Sequence, residues 1–179
     1  MTARSLSLRL VLAISCLLLA SGRGLFAAGT ISREYEIKAA YLYNFINYID
    51  FPGALGGTIT IGVLGENPFG GALKALDGKH VKGRTIEVKD VSQVSALKGC
   101  QIAFISSSEK QRIPEILASL DHTRVLTVSE TDGFSERGGI INFINQHNKV
   151  RFEINPVAAQ RHDLTISSEL LKLARLVKS

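Results

Sequence analysis

Between Thr58 and Glu130 the sequence alternates four strand-like runs with three helix-like segments, and this alternation constrains the fold more than any other feature. The runs are short, rich in β-branched or aromatic residues, and bounded by Gly, Ser or Asp. They span residues 58–65, 85–91, 101–106 and 124–130. The intervening segments PFGGALKAL, VSALKG and RIPEILASL suit helices. This order predicts a mainly parallel sheet with helices on its faces.

The segments on either side complete an α/β fold. From Tyr35, apolar residues recur at helical spacing until Pro52 ends the pattern. Residues 140–144 and 150–154 form two strand-like runs around a polar turn, which predicts an antiparallel hairpin. Asn155 is a suitable helix cap before Pro156. The buried side of a final helix is predicted at Leu170, Leu171, Leu173, Ala174 and Val177.

The first 28 residues have the pattern of a cleaved export signal. Arg4 and Arg9 precede an apolar run, residues 10–20, and small residues follow near Ala28 and Gly29, where we expect cleavage. The run is short for a membrane-spanning helix, and Cys16 lies inside it rather than at its end, so an anchor and lipidation are the weaker alternatives. We therefore expect a signal peptide at 1–28, one α/β domain at 29–179, and an exported protein.

Charge and cysteine content narrow the classes of partner. Residues 1–28 contain three arginines and no acid, so their removal lowers the formal net charge from +5 to +2. Without a dense basic patch, nucleic acid is not an expected partner. The expected mature chain keeps Cys100 alone and has no second cysteine for an internal disulfide.

A glycine-rich loop at residues 65–71 follows one predicted strand and opens a helix, a place where backbone N–H groups can bind an anion. It lacks the lysine of a Walker loop and the spacing of a dinucleotide fingerprint. The candidate ligand-binding residues are Gly65, Phe69, Gly70 and, after a neighbouring strand, Ser106. In the alternative interpretation, Phe69 packs into the core and the serines 106–108 cap the following helix.

Two groups of side chains are candidates for contact with a protein partner. Tyrosines provide contact area with a polar tip, but they can equally complete the core. The hairpin and the helix after it can bring basic side chains to one cationic edge, although these can also be solvated surface groups. The candidates are Tyr41, Tyr43, Tyr48, Arg151, Arg161 and His162. No pair of histidines has metal-ligand spacing, and no catalytic constellation is evident, so neither a metal, a cofactor nor an enzymatic activity is expected.

Seven blocks in a fixed order resemble the YfiR family of periplasmic regulators. They are KAAYLYNF (38–45), VLGENPFG (63–70), GCQIAFIS (99–106), VLTVSETDGF (125–134), GGIINF (138–143), VRFEIN (150–155) and ISSELLKLA (166–174). The resemblance implies a repressor that binds the periplasmic part of an inner-membrane diguanylate cyclase and lowers cyclic di-GMP and biofilm formation. It also implies a homodimer, and relief of repression by an outer-membrane lipoprotein or by redox stress. A sensory kinase as partner stays open.

One departure from the family concerns its cysteines. Family members commonly carry a cysteine near the position of Gly62, able to pair with the one that matches Cys100, and others carry a pair in the later half. Neither is present here, which puts redox control in doubt but not the fold or partner binding. The alternative function is a periplasmic small-molecule-binding protein with its pocket at the 65–71 loop and residues 106–108.

Overall fold

The computed structural model describes residues 24–52 and 57–177, with side chains from residue 33 onward. The chain divides into two compact units, residues 1–34 and 35–179. Helix α1, Gly24–Tyr48, contributes its first residues to the former unit and the remainder to the latter. The helix therefore begins before the pattern at Tyr35. The predicted signal peptide falls almost wholly on residues 1–23, outside the described part of the chain.

The second unit contains an eight-stranded, mostly parallel sheet. Its strands lie in the order β10-β8-β7-β6-β5-β2-β4-β3. Their bounds are β2 Thr58–Leu64, β3 His80–Val81, β4 Arg84–Val91, β5 Ile102–Ile105, β6 Leu126–Ser129, β7 Ile141–Gln146, β8 Lys149–Ile154 and β10 Arg175–Leu176. Strands β4, β2, β5 and β6 run parallel, as the alternation predicted, and β7 also pairs in parallel with β6. A separate antiparallel pair joins β1, Ile49–Asp50, to β9, Thr165–Ile166.

Helices cover both faces of the sheet. One face packs against α1 and the buried residues of α2, Gly71–Lys74, α5, Pro156–Arg161, and α6, Ser168–Leu173. The other face packs against α3, Val94–Leu97, and α4, Ile113–Leu120, together with Phe134. A 3₁₀ helix, Ser107–Arg112, leads into α4. Two apolar layers on one sheet thus form the core.

The hairpin of β7 and β8 is confirmed. Its strands pair in register from Ile141 with Ile154 to Gln146 with Lys149. His147 and Asn148, between them, both have positive φ, as a two-residue primed turn requires. Asn155 then caps α5 by accepting a hydrogen bond from the Ala158 N–H at 2.9 Å, and Pro156 opens that helix, as predicted.

The final helix is confirmed, with Leu171 and Ala174 packed against the core, but the prediction of burial at Leu173 was wrong. Leu170 is buried, but Leu171, Ala174 and Val177 are only partly buried and Leu173 is 70% exposed. The helix ends at Leu173 because the chain then becomes extended and pairs in parallel with β8, with Arg175 opposite Glu153. Arg175 also forms an ion pair with the buried Glu153 carboxylate. Strand pairing therefore prevails over the helical pattern of the leucines.

Candidate functional site

The carboxyl edge of the sheet brings together the 65–71 loop and the serines 106–108. Strand β2 lies between β4 and β5 in the sheet. The connections that leave the carboxyl ends of β2 and β5 therefore run in opposite directions, which makes this edge a topological switch point, the usual ligand position in open α/β sheets. Ser108 Oγ accepts a hydrogen bond from the Glu66 N–H at 2.9 Å. Gly65 has φ +89°, and a Cβ at Gly65 would collide with the Ser108 hydroxyl and crowd the Glu109 side chain. Ser108 and Glu109 therefore occupy the space beside Gly65.

The other predicted ligand-binding residues have structural partners at this edge. Phe69 is 4% exposed, and its ring lies edge-on to Phe104 at 4.7 Å and to Tyr35 at 5.5 Å between centroids. Ser106 is buried and caps the 3₁₀ helix by accepting from the Ser108 N–H at 3.4 Å. Gly70 alone borders open space. The alternative interpretation of this loop, a packed aromatic and a capping serine, describes these contacts.

A buried ion pair beside this edge was not predicted from the sequence. Lys38 Nζ donates to Glu130 Oε2 at 2.5 Å, with side chains 6% and 11% exposed. Tyr35 donates its hydroxyl to Glu130 Oε1 at 3.0 Å, and Lys38 Nζ lies 4.5 Å from the Tyr35 ring centroid. Glu130 follows β6, so the cluster fastens α1 to the carboxyl edge of the sheet. With both carboxylate oxygens engaged, the arrangement holds the helix in place.

The three tyrosines of α1 differ in exposure. Tyr41 packs against Phe152 at 5.2 Å and Phe143 at 6.0 Å between ring centroids. Tyr43 is likewise partly buried against the core. Tyr48, at the end of the helix, is 42% exposed. Among the three, Tyr48 presents the largest side-chain surface to solvent.

The basic residues of the predicted cationic edge do not share one environment. Arg151, on β8, and Arg161, at the end of α5, are exposed. His162 is 3% exposed. Burial lowers the pKa of its imidazole, against the opposing effect of Asp121. The inclusion of His162 in a surface cationic edge was therefore wrong, because its side chain lies in the interior and burial disfavours the charged form.

Four large apolar side chains near the C-terminal end of the fold are exposed, and of these only Tyr48 was a candidate from the sequence. We call Tyr48, Val157, Leu173 and Leu176 the apolar surface group; their exposed fractions are 42%, 45%, 70% and 51%. Backbone contacts link the elements that carry these side chains. The Ser167 N–H, just before α6, donates to the Tyr48 carbonyl at the end of α1. Strand β10 runs beside β8, which leads into α5. At Leu173 the helical periodicity indicated burial, and no local pattern pointed to exposure at Val157 or Leu176.

Cys100 lies next to Gly62 on the α3 side of the sheet. It is 5% exposed, and burial raises the pKa of its thiol. A Cβ built on Gly62 would lie 2.7 Å from Cys100 Sγ and 3.6 Å from Cys100 Cβ. Position 62 is thus the one where a second cysteine would face this thiol.

Residues 24–52 and 57–177 contain neither a candidate membrane span nor a candidate metal site. Neither α1 nor any other described helix has the length and apolarity needed to span a membrane. No group of three or more His, Cys, Asp or Glu side chains in this part of the chain is arranged to hold a metal ion.

The fold defines a class: a mixed α/β protein with a central, mostly parallel sheet and a C-terminal antiparallel hairpin and helix. Within that class, the sequence profile of the YfiR/HmsC-like family matches residues 35–175. The chain belongs to the YfiR/HmsC-like family, which comprises periplasmic regulatory proteins. The resemblance in the seven sequence blocks is thereby confirmed.

Comparison with individual proteins gives likenesses of fold. A conserved domain protein from Vibrio cholerae aligns with a TM-score of 0.56 at 12% identity, over 81% of this chain and 60% of that one. An ABC domain from Streptococcus pneumonia, solved in complex with L-Trp, aligns with a TM-score of 0.48 at 15% identity, over 66% of this chain and 55% of that one. The chain therefore spans less than two thirds of either protein. No curated protein matches significantly.

Proposed function

We propose that this protein is a periplasmic repressor that binds the sensory part of a membrane-bound diguanylate cyclase and thereby lowers cyclic di-GMP and biofilm formation. The observation that carries the proposal is the family match over residues 35–175. The signal peptide expected at residues 1–28 would deliver the protein to the compartment where such a sensory part is accessible.

Repression by contact requires that the protein bind the inactive state of the cyclase more tightly than the active state. A shift of a two-state receptor from 1:99 to 99:1 needs roughly 10⁴-fold differential affinity, about 5.5 kcal/mol. A specific interface of about 1,600 Å² can provide that difference when a few apolar anchors are desolvated. The chemistry required of the repressor is therefore a surface with exposed apolar side chains.

The apolar surface group supplies such anchors. Leu173 and Leu176 are the most exposed large apolar side chains in the described part of the chain, and Tyr48 adds an aromatic ring with a polar tip. Arg151 and Arg161 are exposed cations that can steer an acidic partner at a distance. Tyr41 and Tyr43 contribute mainly by holding α1 on the core, because they are partly buried.

The proposal extends to assembly. The family resemblance favours a homodimer, an outer-membrane lipoprotein that sequesters the repressor, and a cyclase rather than a sensory kinase as the target. The alternative small-molecule function at residues 65–71 and 106–108 is less favoured, since Ser108 and Glu109 occupy the space beside Gly65 and Phe69 is packed in the core.

Deletion and complementation test the proposal. Cells that lack the protein should contain more cyclic di-GMP, and the wild-type gene should restore the lower level. Leu173→Ser should reach normal periplasmic abundance, because a 70% exposed leucine contributes little to the core. We expect this variant to fail to restore the lower cyclic di-GMP level, because it removes an apolar contact with the partner. Ile37→Ser is the matched control, an exposed leucine-sized side chain on the earlier part of α1, and should complement fully.

Unchanged nucleotide levels in the deletion strain would reject a cyclase as the target. If Leu173→Ser and Ile37→Ser both complemented, the apolar surface group would be excluded as the contact surface while the repressor function stood. The two failures are distinguishable, because the deletion strain tests the repressor function without any variant, whereas the serine variants test only the contact surface.

A further inference from the structure

A cavity of about 240 Å³ opens at the amino end of β2, at the opposite end of that strand from the 65–71 loop. Its apolar wall comprises Ile46 of α1, Ile49 of β1, Phe51 and Ile59 of β2. Each of these side chains is at most 5% exposed, so the wall presents only a small apolar area to a ligand.

Three charged residues complete the lining. They are Asp50, Lys82 and Arg84. None of them forms an ion pair with any residue in the described ranges 24–52 and 57–177. Together they give the cavity a formal charge of +1, which favours a ligand with a single negative charge.

Backbone pairing fixes the charged residues in place. Lys82 and Gly83 form the two-residue turn between β3 and β4, with φ of +49° and +74°, and Arg84 pairs with Val81 across that turn. Asp50 pairs with Thr165 in the β1–β9 ladder. Side chains carried on paired strands and a tight turn are pre-organised, which reduces the entropy lost when a ligand binds.

We propose that this cavity binds a small monocarboxylate that carries an apolar group the size of a single aromatic ring or a short branched chain. A cavity of about 150 Å³ accommodates benzene, so this one has room for a ring with a carboxylate. The ring lies on the isoleucine wall, and the carboxylate is bound by Arg84 and Lys82. Asp50 disfavours a second negative charge on the ligand. The inference does not depend on the proposed repressor function.

Benzoate is the probe, and benzamide is its neutral control of the same shape. Titration of the purified protein, followed by amide chemical shifts, should give saturable benzoate binding with a dissociation constant of about 1 mM or tighter. Benzamide should bind at least about tenfold more weakly, because it lacks the charge that pairs with arginine. The shifted amides should cluster at Ile46, Ile59 and Lys82.

Variants of the protein complete the test. Arg84→Gln should weaken benzoate binding at least about tenfold while the melting temperature without ligand stays near that of the wild type. Lys79→Gln, an exposed cation on the same hairpin but outside the cavity lining, is the matched control and should bind benzoate as the wild type does. No saturation by about 20 mM would overturn the inference. Equal binding of benzamide, unaltered binding by Arg84→Gln, or shifts confined to other regions would each do the same.

Discussion

Replacing Gly62 by cysteine should create an internal disulfide with Cys100. The two Cβ atoms would be 3.6 Å apart, inside the range of about 3.5–4.5 Å found in disulfides. Gly62 lies in the middle of β2 with no positive φ, so a side chain imposes no backbone strain there. Leu97 Cδ2, at 3.2 Å from the new Cβ, must move by a few tenths of an ångström.

The expected stabilisation follows from the length of the closed loop. Residues 62 and 100 enclose a loop of about 40 residues, for which the chain-entropy relation gives about 4 kcal/mol at 25 °C. Adjustment of Leu97 reduces this, so we expect a net gain of roughly 2 to 4 kcal/mol. For a chain of this size, that corresponds to a rise in melting temperature of roughly 5 to 15 °C.

Thermal unfolding of Gly62→Cys with and without reductant measures the gain, and thiol titration counts the free cysteines. Gly62→Ala is the matched control: its Cβ would lie 2.7 Å from Cys100 Sγ without forming a bond, so it should be less stable than the wild type. If the oxidised variant kept two free thiols, or melted at the same temperature with and without reductant, the adjacency of Gly62 and Cys100 would be wrong.

Three further predictions concern single side chains. Cys100→Ser should keep partner binding and lose about 1 kcal/mol of stability in denaturant unfolding, because a hydroxyl replaces a buried thiol. Repression by the wild type should be insensitive to reductant. A reducible dimer on non-reducing electrophoresis would contradict this insensitivity. Lys38→Met should destabilise by about 3 kcal/mol, because it leaves the Glu130 carboxylate largely buried without its cation, and the double variant with Glu130→Gln should recover part of the loss. Burial lowers the pKa of His162 in the folded state, so unfolding should take up a proton at low pH. The stability of the protein should therefore fall as the pH drops below about 6.5 towards the folded pKa. Melting scans from about pH 7.5 to 5.5 should show a shallower pH dependence for His162→Leu.

The central strands could be predicted from the sequence because they are buried on both faces. In β5 and β6 every residue is buried, so each reads as a continuous apolar or β-branched run with polar boundaries. The hairpin was equally evident, since its turn is polar and its strands are not. Such patterns depend only on residues close in sequence.

The edges of the sheet could not be predicted in the same way. Strands β3 and β10 are two residues long and form only because β4 and β8 offer unpaired backbone groups. The only local sequence signal for β3 is the glycine at position 83, which favours a tight turn between β3 and β4. Nothing local distinguishes Arg175 and Leu176 from a continuing helix.

The candidate sites were predicted less well, for a physical reason. The ion pair of Lys38 and Glu130 joins residues 92 positions apart, and the cavity at Asp50, Lys82 and Arg84 combines three separate elements. Only the folded topology brings these groups together. The serines 106–108 lie beside the 65–71 loop as expected, but the sequence did not reveal that Ser108 would accept a hydrogen bond from the Glu66 N–H.

The stacking of α1 on the hairpin has a consequence for the order of folding. Phe45 of the first helix lies 5.4 Å from Phe152 and 6.0 Å from Phe143 between ring centroids, so the earliest described element depends on nearly the last strand for its partners. These contacts span about a hundred residues of chain, and loops of that length close slowly. A chain that ends before Phe152 lacks one of the aromatic partners of Tyr41 and Phe45, so the docking of α1 is complete only when almost the whole polypeptide has emerged.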